Sequence, residues 1–310
     1  MTGDASTLLI GIDVGGSSSR VSFAVGDEPP KYFSGPAANF QRCGAKQTVA
    51  VLFDLIQRAS STCPDARLGA FCAGISGAGR DSERESIRTL LVDHIESSGI
   101  QFTSNAQLLI EHDATIAMEG AFCGGGGIIL IAGTGSIAFA RCDDGQRLRC
   151  GGWGYLIGDE GSGVRIGLEG LRAVAHKFDA QSDSVLRQIL SNAFGIDSPH
   201  KLIEYVYLKQ WPPQGFAPSV LDAASSGDTE SKRIVEDQVG LLAAQVSALS
   251  DRCSAISQRI ALMGGLMAHS YYHEAISSAL RKSLPGWELM APLHSPADGA
   301  LMLARQIFRS

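Results

Sequence analysis

Apolar residues run almost unbroken from Leu8 to Ile12, halt at Asp13-Val14-Gly15-Gly16, and resume as Val21, Phe23 and Val25 alternating with small residues. That pattern predicts a strand, a glycine-serine turn and a second strand over residues 8–25. The period then changes: Val49, Leu52, Phe53 and Ile56 fall three or four apart, the signature of a helix over 47–60, closed by Pro64-Asp65. A short strand at 68–73, a glycine loop, a polar helix at 82–97, a strand at 107–110 and a helix opening at Asp113 carry a first domain to Gly120. The pattern then restarts, with a strand at 128–132, a tight turn at 133–136 and a second strand at 137–141, as a duplicated domain would. A glycine-rich loop at 151–163 leads into an amphipathic helix reaching 178. Helical stretches follow at 182–194, 200–208, 219–225 and 229–253. A last strand at 260–263 ends in Gly264-Gly265, before helices at 273–283 and 297–309. The expectation is an α/β chain of two duplicated domains, 1–120 and 121–310, each a sheet flanked by helices, with no low-complexity linker.

Composition narrows the partners. A chain of 310 residues with 45% hydrophobic content exceeds what one core usually absorbs, so two domains and a cleft are expected. Net charge is −6, and no Lys/Arg cluster offers the footprint that nucleic acid or an anionic membrane would need. The polar start, residues 1–7, followed by an apolar run broken at Asp13, reads as neither a signal peptide nor a membrane span. The seven cysteines are dispersed without a C-x-x-C pair, so they are expected to be reduced thiols, with no zinc or iron-sulfur site. A small-molecule chemistry in a cytoplasmic setting follows.

Two turns carry candidate chemistry. In Asp13-Val14-Gly15-Gly16-Ser17, adjacent glycines beside a hydroxyl let backbone N–H groups approach a phosphate, and Asp13 could hold Mg²⁺ through water. An ordinary hairpin turn is the plain alternative. The second turn, Gly133-Thr134-Gly135-Ser136, repeats the arrangement, and two such clasps are far more specific than one. Asp113, between a strand and a helix, is a candidate general base for phosphoryl transfer or else a helix cap. The loop 151–162 combines glycines with Trp153, Asp159 and Glu160, a mixture suited to a polyol. There too Asp159 or Ser162 could simply cap the next helix and Trp153 could belong to the core. On local grounds Asn39 is a turn residue, and Gly264-Gly265 is a strand-end pair that allows a flat ligand close to the backbone.

Taken in this order, the motifs resemble the N-acetylglucosamine kinase branch of the sugar kinase, heat-shock chaperone and actin superfamily. The most specific stretches are CGGWGYLIGDEGS at 150–162 and IAGTGS at 131–136. The resemblance implies two ribonuclease H-like (actin-like ATPase) domains, each a mixed sheet flanked by helices, closing over ATP and an amino sugar, with Mg²⁺ as cofactor and a homodimer as the assembly. It implies that Asp113 is the base that takes a proton from the sugar 6-hydroxyl. It places Asn39, Gly152, Trp153, Gly154 and Asp159 at sugar-contacting positions, and Ser17, Thr134, Gly264 and Gly265 at nucleotide-contacting ones. Ser17 stands where threonine is frequent, which keeps the hydroxyl. Glu111-His112 precede Asp113 where small or hydroxyl residues are frequent, which bears on substrate choice and leaves glucosamine open. An ATP-driven switch without a sugar substrate is the reading from another class.

Overall fold

The expected opening hairpin forms as β1 (Thr7–Val14) and β2 (Ser19–Val25), paired antiparallel in full register from Leu8 opposite Val25 to Val14 opposite Ser19. The structure, a computed structural model, describes residues 6–310 apart from residue 97. Residues 1–5 of the polar start and Ser97 at the end of the expected polar helix therefore lie outside the described residues.

The remaining elements of the first unit are β3 (Lys31–Gly35), α1 (Phe40–Thr62), β4 (Arg67–Ile75), α2 (Asp81–Glu96), β5 (Phe102–His112) and α3 (Asp113–Phe122). Helix α1 begins seven residues before the expected 47, because a first turn precedes a break at Gly44, whose φ is 70°. The sheet order is β3-β2-β1-β4-β5, with β1, β4 and β5 parallel. One face of this sheet buries Leu8, Ile10, Ile12, Phe71 and Ile75 against Leu52, Leu55 and Ile56 of α1 and Ile87 and Leu91 of α2. Strands covered on both sides read as continuous apolar runs, which is why β1 and β4 were legible.

The second unit holds β6 (Gly127–Ala132), β7 (Ser136–Arg141), β8 (Arg147–Gly151), α4 (Gly163–Asp179), α5 (Val185–Phe194), α6 (Pro199–Ile203), α7 (Ala217–Ser225), α8 (Thr229–Ser250), β9 (Arg259–Met263), α9 (Ser270–Ser283) and β10 (Glu288–Met290). The expected helix at 200–208 is α6 followed by one wide π-turn over Glu204–Leu208. The sheet order is β10-β9-β6-β7-β8, with β6, β9 and β10 parallel and β7 and β8 antiparallel additions. Read outward from β6 this is the arrangement of the first sheet read outward from β1, so the duplication extends to strand order and direction.

The chain divides by its contacts into residues up to Gly125 together with Pro292–Ser310, and Gly126–Ala291. The expected second domain of 121–310 differs from this division at its end. The last helix, α10 (Pro296–Arg309), packs on the other face of the first sheet, where Ala300, Leu301 and Ala304 meet Leu9, Ala70, Cys72 and Ile116. Gly11 makes that approach possible, because a Cβ there would stand 2.2 Å from the Leu301 backbone nitrogen.

The cysteines need a correction. Cys142 and Cys253, expected as thiols, form a disulfide across 111 residues of sequence with Cα atoms 5.6 Å apart. The fold brings the end of β7 beside the end of α8, a proximity that spacing along the chain does not reveal. Cys43, Cys63, Cys72, Cys123 and Cys150 are free. Among the described residues no helix is long and apolar enough to cross a membrane, and no cluster of three or more His, Cys, Asp or Glu is placed to hold a metal.

Candidate active site

In parallel α/β sheets, ligands are taken up beyond the carboxyl ends of the strands. In the first unit that edge collects the expected residues of residues 13–39 and 113. Asp13 is the penultimate residue of β1, opposite Arg20 on β2 and Gly74 on β4. The turn after it closes through the Gly15 N–H to the Ser18 carbonyl at 3.1 Å, leaving Gly16 and Ser17 exposed. The Ala38 N–H donates to the Gly15 carbonyl at 3.1 Å, which draws the segment before α1 against the turn. Asn39 stands at the N-cap position of α1 but makes no side-chain cap bond. Its Nδ2 instead donates to Ser76 Oγ at 3.2 Å, and the Phe40 N–H donates to the Ser76 carbonyl at 3.0 Å. The turn-residue reading of Asn39 is thereby replaced by a tie to the loop after β4.

Asp113 follows β5 at the same edge, since Ile75 at the end of β4 is registered with His112. The cap of α3 is His112, whose Nδ1 lies 3.2 Å from the Ala114 nitrogen, while Asp113 is the first helical residue. The Asp113 carboxylate accepts from the Ala114 N–H at 2.8 Å through Oδ1, which is also 3.0 Å from His112 Nδ1. The Asp113 side chain is 35% exposed. Burial, and then the negative charge of Asp113, push the Asp13 carboxyl up to about 6, with Arg20 opposing. A carboxyl whose proton affinity is raised by burial and by a neighbouring carboxylate marks a site short of positive charge. A hydrated divalent cation held by one carboxylate fits that shortage.

In the second unit the corresponding edge collects the other clasp. The Gly133 N–H donates to the Gly135 carbonyl at 2.9 Å, and Thr134 is exposed. The Gly163 and Val164 N–H groups at the start of α4 donate to the carbonyls of Gly133 and Thr134 at 2.8 and 3.1 Å, so turn and helix are locked together. Gly264, at φ 102°, ends β9 against Ala132, where a Cβ would stand 2.2 Å from the Ala132 carbonyl oxygen. Gly264 and Gly265 are exposed at this edge beside the clasp.

The loop after β8 occupies the same place in this unit as the segment after β3, which carries Asn39, does in the first. Gly152 and Gly154 have φ of 68° and 83°, and Asp159, a non-glycine, has φ of 60°. Asp159 lies against Gly135 and accepts from the Gly154 N–H at 3.3 Å. Burial raises its pKa, with hydrogen bonds from the Gly154 and Ser136 backbone opposing. Ser162 is the cap of α4, accepting from the Arg165 N–H at 3.2 Å, so Asp159 is free of that duty. Trp153 is 63% exposed and cannot be core; Arg149 stands over its ring at 5.0 Å. Tyr155, Leu156 and Ile157 continue this exposed apolar rim.

A model of the BadF/BadG/BcrA/BcrD ATPase family matches residues 10–304. The chain belongs to this family. Over 308 residues it is 29% identical to an N-acetylmuramic acid/N-acetylglucosamine kinase of Clostridium acetobutylicum, covering 96% of this chain and 98% of that one. It is 25% identical to an N-acetyl-D-glucosamine kinase of Dictyostelium discoideum, over 96% and 97% of the two chains. A solved structure from Chromobacterium violaceum, provisionally assigned as an N-acetylglucosamine kinase, superposes with a TM-score of 0.72 at 26% identity, over 96% and 98% of the chains.

Several residues around the two edges of this BadF/BadG/BcrA/BcrD family member escape sequence reasoning. Ser76 and His112 neighbour predicted residues in space or sequence, and only His112 gave a signal, as a departure beside Asp113. Gln238, Gln245 and Tyr272 bond to the loop of the second unit from 77 to 111 residues away. Nothing in the local pattern of their helices marks them.

Proposed function

We propose that the protein is an ATP-dependent kinase that transfers a phosphoryl group to the 6-hydroxyl of an amino sugar, N-acetyl-D-glucosamine in the first instance. The observation that carries this reading is Asp113, half-exposed at the carboxyl edge of the first sheet and within electrostatic reach of Asp13. A phosphoryl acceptor needs a carboxylate that orients its hydroxyl and finally removes its proton. The kinase names of the two curated relatives, aligned over nearly their full lengths, support the same reaction.

In this reading the Asp113 oxygen left free by Ala114 receives the hydroxyl proton. Asn39, Gly152, Trp153, Gly154 and Asp159 bind the sugar, with Trp153 offering an apolar face and Asp159 accepting from hydroxyls. Gly15, Gly16 and Ser17, with Gly133, Thr134 and Gly135, present backbone N–H groups and hydroxyls to phosphates, and Gly264-Gly265 takes the flat base. Asp13 would hold Mg²⁺, which supplies charge neutralisation of the phosphates when bound. A cytoplasmic setting and a homodimer rest on the family resemblance.

Two features weigh against glucosamine. A free ammonium would favour an additional carboxylate, for which Glu111 is the candidate, and Glu160 is the other acidic residue that could meet the sugar. Glu111 shares its face of β5 with Leu109, which packs toward α10, and its charge helps push the buried Cys72 thiol up. The Glu160 carboxylate accepts from Gln245 Nε2 at 2.6 Å.

The reading is tested by coupled ADP release with ATP and Mg²⁺ against N-acetylglucosamine, N-acetylmuramic acid, glucosamine, glucose and no sugar. Strong stimulation by N-acetylglucosamine is expected, and equal release in every case would return the protein to the ATP-driven switch. Asp113→Asn is expected to lower kcat about 10²–10⁴-fold while leaving the affinity for ATP, measured by calorimetry, within about threefold. Retained turnover would remove Asp113 from the base role.

A further inference from the structure

Asp159 holds a left-handed backbone, φ 60°, without being glycine, a conformation that persists only where the surroundings over-determine it. The surroundings are visible one and two residues further on. Gly161 is gripped at both of its backbone polar groups: its N–H donates to Gln238 Oε1 at 3.1 Å, and its carbonyl accepts from the Tyr272 hydroxyl at 2.7 Å. Gln238 is 7% exposed and Tyr272 fully buried. Burial pushes the Tyr272 hydroxyl up, so it remains a donor throughout the working range. Between Asp159 and Gly161, Glu160 is held at two points. Its carbonyl accepts from Ser136 Oγ at 2.7 Å, and its carboxylate Oε2 accepts from Gln245 Nε2 at 2.6 Å.

Gln238, Leu242 and Gln245 lie at i, i+4 and i+7 on α8, one stripe of one helix face. Leu242 fills the middle of the stripe against Gly161, where a Cβ would meet its Cδ2 at 2.7 Å. A carboxylate only accepts, so the Gln245 amide must turn its nitrogen to Glu160. Its Oε1 then faces Gly151, 2.9 Å from where a Cβ would stand there, and has no hydrogen-bond partner. A buried acceptor left unsatisfied does not serve stability; the orientation of Gln245 is accounted for by its bond to the loop.

We propose that Gln245 is a positioning residue for the sugar: through Glu160 it fixes the loop that presents Asp159, and Glu160 thereby serves the scaffold instead of the substrate. This rests on the reading of Asp159 as a sugar acceptor. The specificity consequence is that a single carboxylate of the Asp159-Glu160 pair is offered to the polyol.

The test is a charge swap. Gln245→Glu sets two carboxylates against each other, and the double variant Glu160→Gln/Gln245→Glu restores the hydrogen bond with its partners exchanged. In the single variant KM for N-acetylglucosamine is expected to rise at least tenfold, with KM for ATP within twofold of the parent. In the double variant the sugar KM is expected to return to within threefold. Hydrogen–deuterium exchange of the amides over residues 152–162 should accelerate in the single variant and recover in the double. A double variant as impaired as the single, with exchange recovered, would show that the Glu160 carboxylate itself meets the sugar and overturn the proposal. Unchanged exchange in Gln245→Glu would overturn it equally. If the parent protein shows no sugar-stimulated turnover, the kinase reading fails by itself and the exchange measurements still decide whether Gln245 holds the loop.

Discussion

At the scale of single residues, Asp13 carries a measurable liability. Its carboxyl, raised from 3.8 to about 6 by burial and by Asp113, binds its proton more tightly in the folded protein than in the unfolded chain. The protonated form is thus favoured by folding, and the contribution is present in full below pH 3.8 and lost as pH rises through about 6. The size is about 2–3 kcal/mol, since one pKa unit corresponds to about 1.4 kcal/mol. Thermal melts in metal-free buffer should show this falling component between pH 4 and 6 for the parent, and it should be missing in Asp13→Asn. At pH 8 Asp13→Asn should be more stable than the parent, a result opposite to that of removing an ordinary surface carboxylate. An identical pH profile for the two proteins would mean that Asp13 is not desolvated. A buried acid kept at a cost to stability is a candidate for a functional role.

The elements show why some of this was legible in the sequence and some was not. The hairpins β1–β2 and β6–β7 announce themselves through apolar strands around glycine turns, and both clasps were readable from those turns. The edge strands β3, β8 and β10 were missed, because Lys31–Gly35 and Arg147–Gly151 bury little and Glu288–Met290 is three residues long. β8 alternates Arg147, Leu148, Arg149 and Cys150, but over too few residues to stand out from the glycine loop that follows, and charged residues of this kind guard edges against unwanted pairing. The supports of the site loop were equally silent. Gln238, Gln245 and Tyr272 acquire meaning only when α8 and α9 are brought against residues 160–161. The disulfide is a third case, since it joins the end of β7 to the residues after α8. Closing a loop this long typically contributes about 2–4 kcal/mol. For a unit of this size the double variant Cys142→Ser/Cys253→Ser should melt roughly 5–15 °C lower by non-reducing calorimetry. Cys142 is 1% exposed, so a reductant should produce the same shift in the parent only slowly, through local opening. Equal melting of parent and variant would show that the bridge does not form in solution.

For the whole molecule, the decisive fact is that the chain leaves the first unit at Gly125 and supplies Pro292–Ser310 to it only at the end. Helix α10 contributes Ala300, Leu301 and Ala304 to one face of the first sheet. Its Asp298 accepts from Ser22 Oγ at 2.7 Å and completes a capping box with Ser295, and its Gly299 lies against the Ile116 carbonyl of α3. Removing residues 292–310 would therefore expose the α10 face of β1 and β4, including Leu9, Ala70 and Cys72, to water. Burial of a single large aliphatic side chain is worth about 1.5–3 kcal/mol, and several are lost together against a total stability of only about 5–15 kcal/mol. The second unit keeps its whole core, because Gly126–Ala291 is one continuous run that carries both its sheet and the helices packed on it. Limited proteolysis of a chain ending at Ala291 should accordingly leave a resistant fragment starting near residue 126, with peptides from residues 6–125 digested. Survival of the 6–125 region would mean that the first sheet is stable with that face bare. The same argument sets an order for folding from the N-terminus: the first unit, though made first, is completed only when α10 docks on the sheet face that carries Leu9, Ala70 and Cys72.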